Sequence, residues 1–196
     1  MYGFSLYRRP QKNNSEPIGP YLKYTVCFLT RGDKILMLHR RNPPNARKWN
    51  GVGGKIKDGE TALQTCIREV WEETGYKLET VNFGGILTWE NFEIEDGGLY
   101  IFYAEAPDGD PIQHNGEGKL KWQSQRWVFS AATVVNNIHF FGPKVLVGAP
   151  PQEYYFKYYY GKIMAHNVRP LPDWVDINTP IEVPKPETDD PYLKQD

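Results

Sequence analysis

Residues 54–76, GKIKDGETALQTCIREVWEETGY, constrain this chain more than any other stretch. Thr61 and Gln64 form a T-x-x-Q capping box, in which the hydroxyl and the side-chain amide satisfy free backbone groups at a helix start. Leu63, Cys66, Ile67 and Val70 recur at helical spacing and give the helix an apolar side. Gly75 suits a C-cap, because glycine takes the left-handed conformation without a Cβ penalty. On this helix Glu69, Glu72 and Glu73 are spaced i, i+3, i+4 and span an arc of about 100°. Three like charges so close cost helix stability. Arg68 reaches Glu72 one turn on but cannot neutralise all three. A hard divalent cation can, and carboxylate oxygens are the ligands Mg²⁺ prefers. An arbitrary E-x-x-E-E is usually an exposed acidic face. Here the setting argues otherwise: the helix follows a Gly53-Gly54 pair, where backbone can approach a ligand, and Glu60 stands just before the cap.

The rest of the chain supplies strands around this helix. Residues 22–30, LKYTVCFLT, and 34–39, KILMLH, read as an antiparallel pair joined by a turn at Arg31-Gly32-Asp33. A loop with Pro43 and Pro44 leads to the glycine-rich run 51–59. Further strands are expected at 77–90, 98–105 and 122–129, with a turn-rich stretch at 107–118 and partial helix over 131–148. Residues 153–169 read as a hairpin with Gly161-Lys162 as its two-residue turn. This division gives an N-terminal arm at 1–20, one domain at 21–178 and a Pro- and acid-rich tail at 179–196, disordered or wrapping.

Charge and composition exclude several function classes. With 23 basic and 24 acidic residues the chain is close to neutral, which argues against a nucleic-acid binder that works by neutralising phosphates. A small anionic ligand stays compatible. No apolar run approaches the roughly 18 residues that span a bilayer, and no apolar stretch follows the basic N-terminal residues as in a secretory signal. Cys27 and Cys66 lie in apolar runs and read as reduced, buried thiols. His39, His114, His139 and His166 show no metal-ligand spacing. A cytoplasmic enzyme fits these features. The aromatic run 154–160 reads equally as a homodimer interface or as alternation in a half-buried hairpin.

Residues 54–76 resemble the Nudix box, G-x5-E-x7-R-E-U-x-E-E-x-G-U, with U bulky and apolar. Gly54, Glu60, Arg68, Glu69, Val70, Glu72, Glu73 and Gly75 occupy its positions, and Tyr76 fills the last with an aromatic instead of an aliphatic side chain. A chance match in a chain of this length is on the order of one in ten million from average residue usage. The resemblance implies an α/β fold, an α/β/α sandwich around a mixed β-sheet. It also implies Mg²⁺, or Mn²⁺, as cofactor, and hydrolysis of the diphosphate link of a nucleoside diphosphate derivative. Glu69, Glu72 and Glu73 would bind metal and activate water, with the Gly53 carbonyl as a further ligand. Arg68 would orient a carboxylate, Glu60 would support the metal shell, and Lys55 would neutralise substrate phosphate. The sequence leaves open which glutamate is the base.

The run Trp49-Asn50-Gly51-Val52-Gly53-Gly54-Lys55 resembles the MutT-like branch, the 8-oxo-dGTP diphosphatases, and the likeness extends over about residues 22–170. It implies a small nucleotide substrate, an oxidised purine nucleoside triphosphate cleaved to monophosphate and pyrophosphate. Asn50 and Asn137 would read the base, although Asn136-Asn137 reads equally as a helix cap or turn. Trp49 would line the site or belong to the core. Glu117 resembles a loop glutamate that joins the metal shell, or is an exposed loop charge. Two other readings stand beside this one. One is a Nudix hydrolase of another substrate, such as a dinucleoside polyphosphate, ADP-ribose or an RNA 5′ end. The other is a non-catalytic nucleotide-binding module, which has no need for so complete a set of glutamates.

Overall fold

The computed structural model describes residues 21–112 and 114–183. The arm expected at 1–20 and the tail from residue 184 lie outside them. Two long strands open the domain: β1, Leu22–Arg31, and β2, Lys34–Arg40, turn through Gly32 at φ +57°. A two-residue strand, β3 (Trp49–Asn50), pairs with β2 and delivers the chain to helix α1, Ala62–Thr74. Then come β4 (Asn82–Glu90), β5 (Gly97–Glu105), β6 (His114–Asn115) and β7 (Gly118–Ser124). Helices α2 (Gln125–Val128) and α3 (Ile138–Leu146) precede a terminal hairpin of β8 (Gln152–Tyr159) and β9 (Lys162–Pro170).

All nine strands among the described residues join one sheet, ordered β6-β7-β2-β1-β5-β4-β8-β9 with β3 beside β2. The β1–β5 and β4–β8 pairs are parallel and the others antiparallel, so the sheet is mixed. The central strands are apolar at nearly every position because both faces are covered. Cys27, Leu29, Leu36 and Leu38 point to the face that carries Ala62, Cys66 and Val70 of α1. Their neighbours Val26, Phe28, Ile35 and Met37 point to the opposite face, against Ile138, Phe141 and Val145 of α3. Period-two alternation in the strands thus divides the core into two layers, giving helix, sheet and helix in sequence.

Several elements differ from the sequence expectation. The strand expected over 77–90 begins at Asn82, and the one expected over 122–129 ends at Ser124. Ser124 caps α2, its hydroxyl accepting from the Trp127 N–H at 3.3 Å, so residues 125–128 turn helical. The last hairpin turns on Tyr160-Gly161, with φ of +46° and +71°, and not on Gly161-Lys162. A two-residue turn with both central residues at positive φ favours glycine in the second place. The chain also stays on the domain beyond residue 178: Ile181 is 2% exposed in the α1-side core.

Candidate active site

The α1 cap forms as its sequence demands. Thr61 Oγ1 accepts from the Gln64 N–H at 3.0 Å while Gln64 Oε1 accepts from the Thr61 N–H at 2.9 Å. Gly75, at φ +76°, closes the helix by donating to the Trp71 carbonyl. These caps fix the rotational setting of the helix and hence where its glutamates lie.

Arg68 gathers four carboxylate contacts. Its guanidinium meets Glu60 in two bonds of 2.6 and 2.7 Å, Glu69 Oε1 at 2.6 Å and Glu72 Oε2 at 3.1 Å. Glu60 also accepts from the Thr65 hydroxyl at 2.7 Å and the Lys57 N–H at 3.1 Å. The Arg68 guanidinium, with these neutral donors, lowers the Glu60 carboxyl to a pKa of about 2. The same pairing raises the Arg68 pKa above its ordinary value.

Glu73 behaves differently. It is 4% exposed, and its Oε2 accepts from the Gly53 N–H at 2.9 Å. Burial pushes its pKa up to about 8, against the Gly53 hydrogen bond, and the charges of Glu69 and Glu117 act in the same upward direction. The glycines before the helix let the backbone pass close to β1 and to Glu69. A Cβ on Gly53 would overlap the Thr25 carbonyl, and one on Gly54 would overlap the Glu69 carboxylate.

Glu69, Glu73, Glu117, Gly53, Gly54 and Lys55 line a cavity of about 440 Å³. Arg40 also lines it and favours charge on Glu73. Asn50, Asn137 and Tyr158 lie along the same cavity. Asn50 Oδ1 accepts from the Gly51 N–H at 2.9 Å, which leaves its amide N–H groups as donors. Asn137 precedes α3, but its side chain makes no cap hydrogen bond; its Nδ2 donates instead to the Tyr158 hydroxyl at 3.0 Å. Thr25, whose buried hydroxyl has no hydrogen-bond partner among the described residues, also lines this cavity.

The fold therefore brings Glu69, Glu73, Glu117, Gly53, Lys55, Asn50 and Asn137 to one cavity. It keeps the other expected residues out of the lining. Trp49 packs its ring 4.8 Å from His39 and 5.9 Å from Trp127, half-buried against the α3-side core. Glu60 is turned to Arg68, and Glu72 is 48% exposed between Arg68 and Lys57. The run Leu38-His39-Arg40-Arg41 that ends β2 fits the MutT-like resemblance without giving Arg40 a role in the site; Tyr158 and Thr25 are specified only by tertiary contact.

The donor set suits a hard divalent cation. Among the described residues no three His, Cys, Asp or Glu side chains stand ready as a ligand cluster, since Arg68 holds Glu69 and Glu72. Mg²⁺, however, commonly takes only one or two carboxylates and completes its octahedron with waters and substrate phosphate oxygens. Glu69 and Glu73, with backbone carbonyls nearby and a pKa in Glu73 that a cation would lower, meet that requirement.

A mixed sheet between helices, with a carboxylate helix following a glycine turn, defines a class that sequence and structure comparisons identify. The profile of the NUDIX domain matches residues 20–143, and the chain belongs to the Nudix family. A Nudix hydrolase from Bacillus subtilis is 33% identical over 107 residues, 51% of this chain and 64% of that protein. An oxidized purine nucleoside triphosphate hydrolase from Danio rerio is 31% identical over 99 residues, 50% of this chain and 63% of that protein. The chain thus spans just under two thirds of the length of these curated relatives. A MutT protein crystal structure from Bacillus halodurans superimposes with a TM-score of 0.64 at 26% identity, covering 76% of this chain and 98% of that one. Among the described residues no helix is long and apolar enough to cross a membrane.

Proposed function

We propose that this protein is a Mg²⁺-dependent hydrolase that cleaves a nucleoside triphosphate, an oxidised purine such as 8-oxo-dGTP, to monophosphate and pyrophosphate. The observation that carries the reading is the mixed lining of one cavity. Carboxylates and cations, Glu69, Glu73, Arg40 and Lys55, share it with amides and aromatic rings, Asn50, Asn137, Phe92 and Tyr158. Its volume falls within the range of small-molecule sites. Bound Mg²⁺ (Mn²⁺ would serve) supplies charge neutralisation on the phosphates and lowers the pKa of a nucleophilic water. Glu69 and Glu73, with Gly53 beside them, would hold it.

The remaining steps belong to the chain. Lys55 and Arg40 attract and orient the phosphates. A carboxylate of Glu69 or Glu73 accepts the proton of the attacking water as its oxygen joins phosphorus and pyrophosphate leaves. Glu60 and Arg68 act behind these groups by orienting Glu69. Asn50 donates and Asn137 accepts, so a purine whose edge offers the complementary pair is bound and one that leaves either amide unpaired is penalised. Similarity to the oxidized purine hydrolase of Danio rerio supports the same substrate class.

A substrate panel with Mg²⁺ tests the proposal: 8-oxo-dGTP, ordinary nucleoside triphosphates, diadenosine polyphosphates and ADP-ribose, with products resolved by ion-exchange chromatography. The expected result is the highest kcat/KM on the oxidised purine triphosphate, with pyrophosphate released. Preference for ADP-ribose or a dinucleoside polyphosphate would replace the substrate, and no turnover of any compound would replace the enzyme by a nucleotide-binding module.

A further inference from the structure

We infer that the segment 177–183, which lies outside the NUDIX match, is a positioning strap for the carboxylates that line the cavity. The inference rests on the hydrolase reading above. The strap crosses the loop that precedes α1. The Ile177 carbonyl accepts from the Leu63 N–H at 3.1 Å, satisfying a first-turn donor that the helix itself leaves open. The Ile181 carbonyl accepts from the Gly59 N–H at 3.0 Å, and the Ile181 N–H donates to the Glu60 carbonyl at 2.9 Å. The Val183 N–H donates to Asp58 Oδ1 at 3.0 Å. The Ile181 side chain is anchored in the same core layer as Ala62, Cys66 and Val70.

Three consecutive residues, Asp58, Gly59 and Glu60, are therefore held from the C-terminal side of the chain. Glu60 is the member that reaches the site. Its carboxylate grips Arg68 through two bonds, and Arg68 in turn holds Glu69 Oε1 at the cavity wall beside Gly54. Without the strap the loop loses two backbone hydrogen bonds and its anchor. Glu60 then no longer fixes the guanidinium, and Glu69 loses the partner that sets its orientation. Ile181 touches no substrate; it acts through the Glu60 backbone, and its effect is on the precision of the metal-binding carboxylate. Displacements near 1 Å in such a shell cost on the order of 10²-fold in rate.

The test uses Ile181→Ala in the full chain, with Leu171→Ala as control. Leu171 packs on the same core layer without a hydrogen bond to the loop among the described contacts. The first readout is the affinity for Mn²⁺ alone, measured by electron paramagnetic resonance at a temperature where each variant is folded. The second is the split between kcat and KM on the best nucleotide. Ile181→Ala is expected to weaken Mn²⁺ binding about tenfold and to lower kcat about 10–100-fold with KM within twofold of wild type. Leu171→Ala is expected to lower Tm only. The effect must also vanish in a Glu60→Gln background if it passes through Glu60. Lower Tm with unchanged Mn²⁺ affinity in Ile181→Ala, or full additivity with Glu60→Gln, overturns the inference. If Ile181→Ala does not fold, Ile181→Val supplies the same comparison at smaller amplitude. Absence of turnover in the wild type would count against the hydrolase reading, while the Mn²⁺ affinities would still decide the strap.

Discussion

Replacing Arg68 by methionine removes the cation that holds Glu60, Glu69 and Glu72 together while keeping much of the alkyl stem. The fall of the Glu60 carboxyl from 4.5 to about 2 measures how strongly the folded protein prefers its charged form. Taken whole, that preference is worth about 3 kcal/mol. Glu60 is 21% exposed, and solvent screening together with the shares of Thr65 and Lys57 leaves about 2 kcal/mol for Arg68, the largest cause. In a chain of this size about 2 kcal/mol corresponds to a loss of roughly 4–8 °C in Tm. The sign in pH follows from linkage. A carboxyl whose folded pKa is depressed contributes its stability above the unfolded value, 4.5, and loses it as pH falls towards about 2. Wild type and Arg68→Met, melted in EDTA, should therefore differ by roughly 4–8 °C at pH 7 and converge as pH approaches about 2. A difference under about 2 °C at pH 7, or one that is unchanged in acid, would refute the assignment of this stability to the Glu60–Arg68 pair.

Other perturbations read different parts of the site. Glu73 has the opposite sign: its folded pKa of about 8 means that the folded protein keeps a proton the unfolded chain has lost, so in EDTA stability falls as pH rises from 4.5 to 8. Glu73→Gln should flatten that window in a Tm-against-pH series. Gly54→Ala places a methyl group on the Glu69 carboxylate, and kcat/KM should fall about 10²-fold with far-ultraviolet circular dichroism unchanged. Asn50→Ala should raise KM for an oxidised purine triphosphate by about tenfold, one hydrogen bond's worth, and leave a pyrimidine triphosphate unaffected. Tyr158→Phe frees the Asn137 amide to rotate, and discrimination between purine triphosphates should narrow by about five- to tenfold in competition assays.

The parts of this molecule that were legible in sequence are those with local causes. The cap pair Thr61 and Gln64, the glycine at 75 and the apolar runs 22–30 and 34–39 with their turn each act within a few residues, and α1, β1 and β2 formed as they require. The spacing of Glu69, Glu72 and Glu73 gave the shared face, but Arg68 and Lys57 decide that Glu72 turns away from the cavity while Glu69 and Glu73 line it. Trp49 illustrates the same limit. Its place in a motif pointed to the site, whereas its ring found His39 and Trp127, brought together by β2 and α2. Ser124 ended a strand expected to run on to residue 129, because its side chain caps α2 instead. Asn137 was ambiguous between a cap and a ligand; the hydroxyl of Tyr158, twenty-one positions on and in another element, determines what its amide does. The contact between Ile181 and the loop before α1 leaves no periodic trace at all in sequence.

Whether Glu69 and Glu73 form a metal-dependent hydrolytic centre is decided by ³¹P NMR of 8-oxo-dGTP with wild type and Glu73→Gln, each in Mg²⁺ and in EDTA. Conversion to nucleoside monophosphate and pyrophosphate is expected only for wild type in Mg²⁺, with both proteins folded throughout. Equal conversion by Glu73→Gln, or by wild type in EDTA, would contradict it.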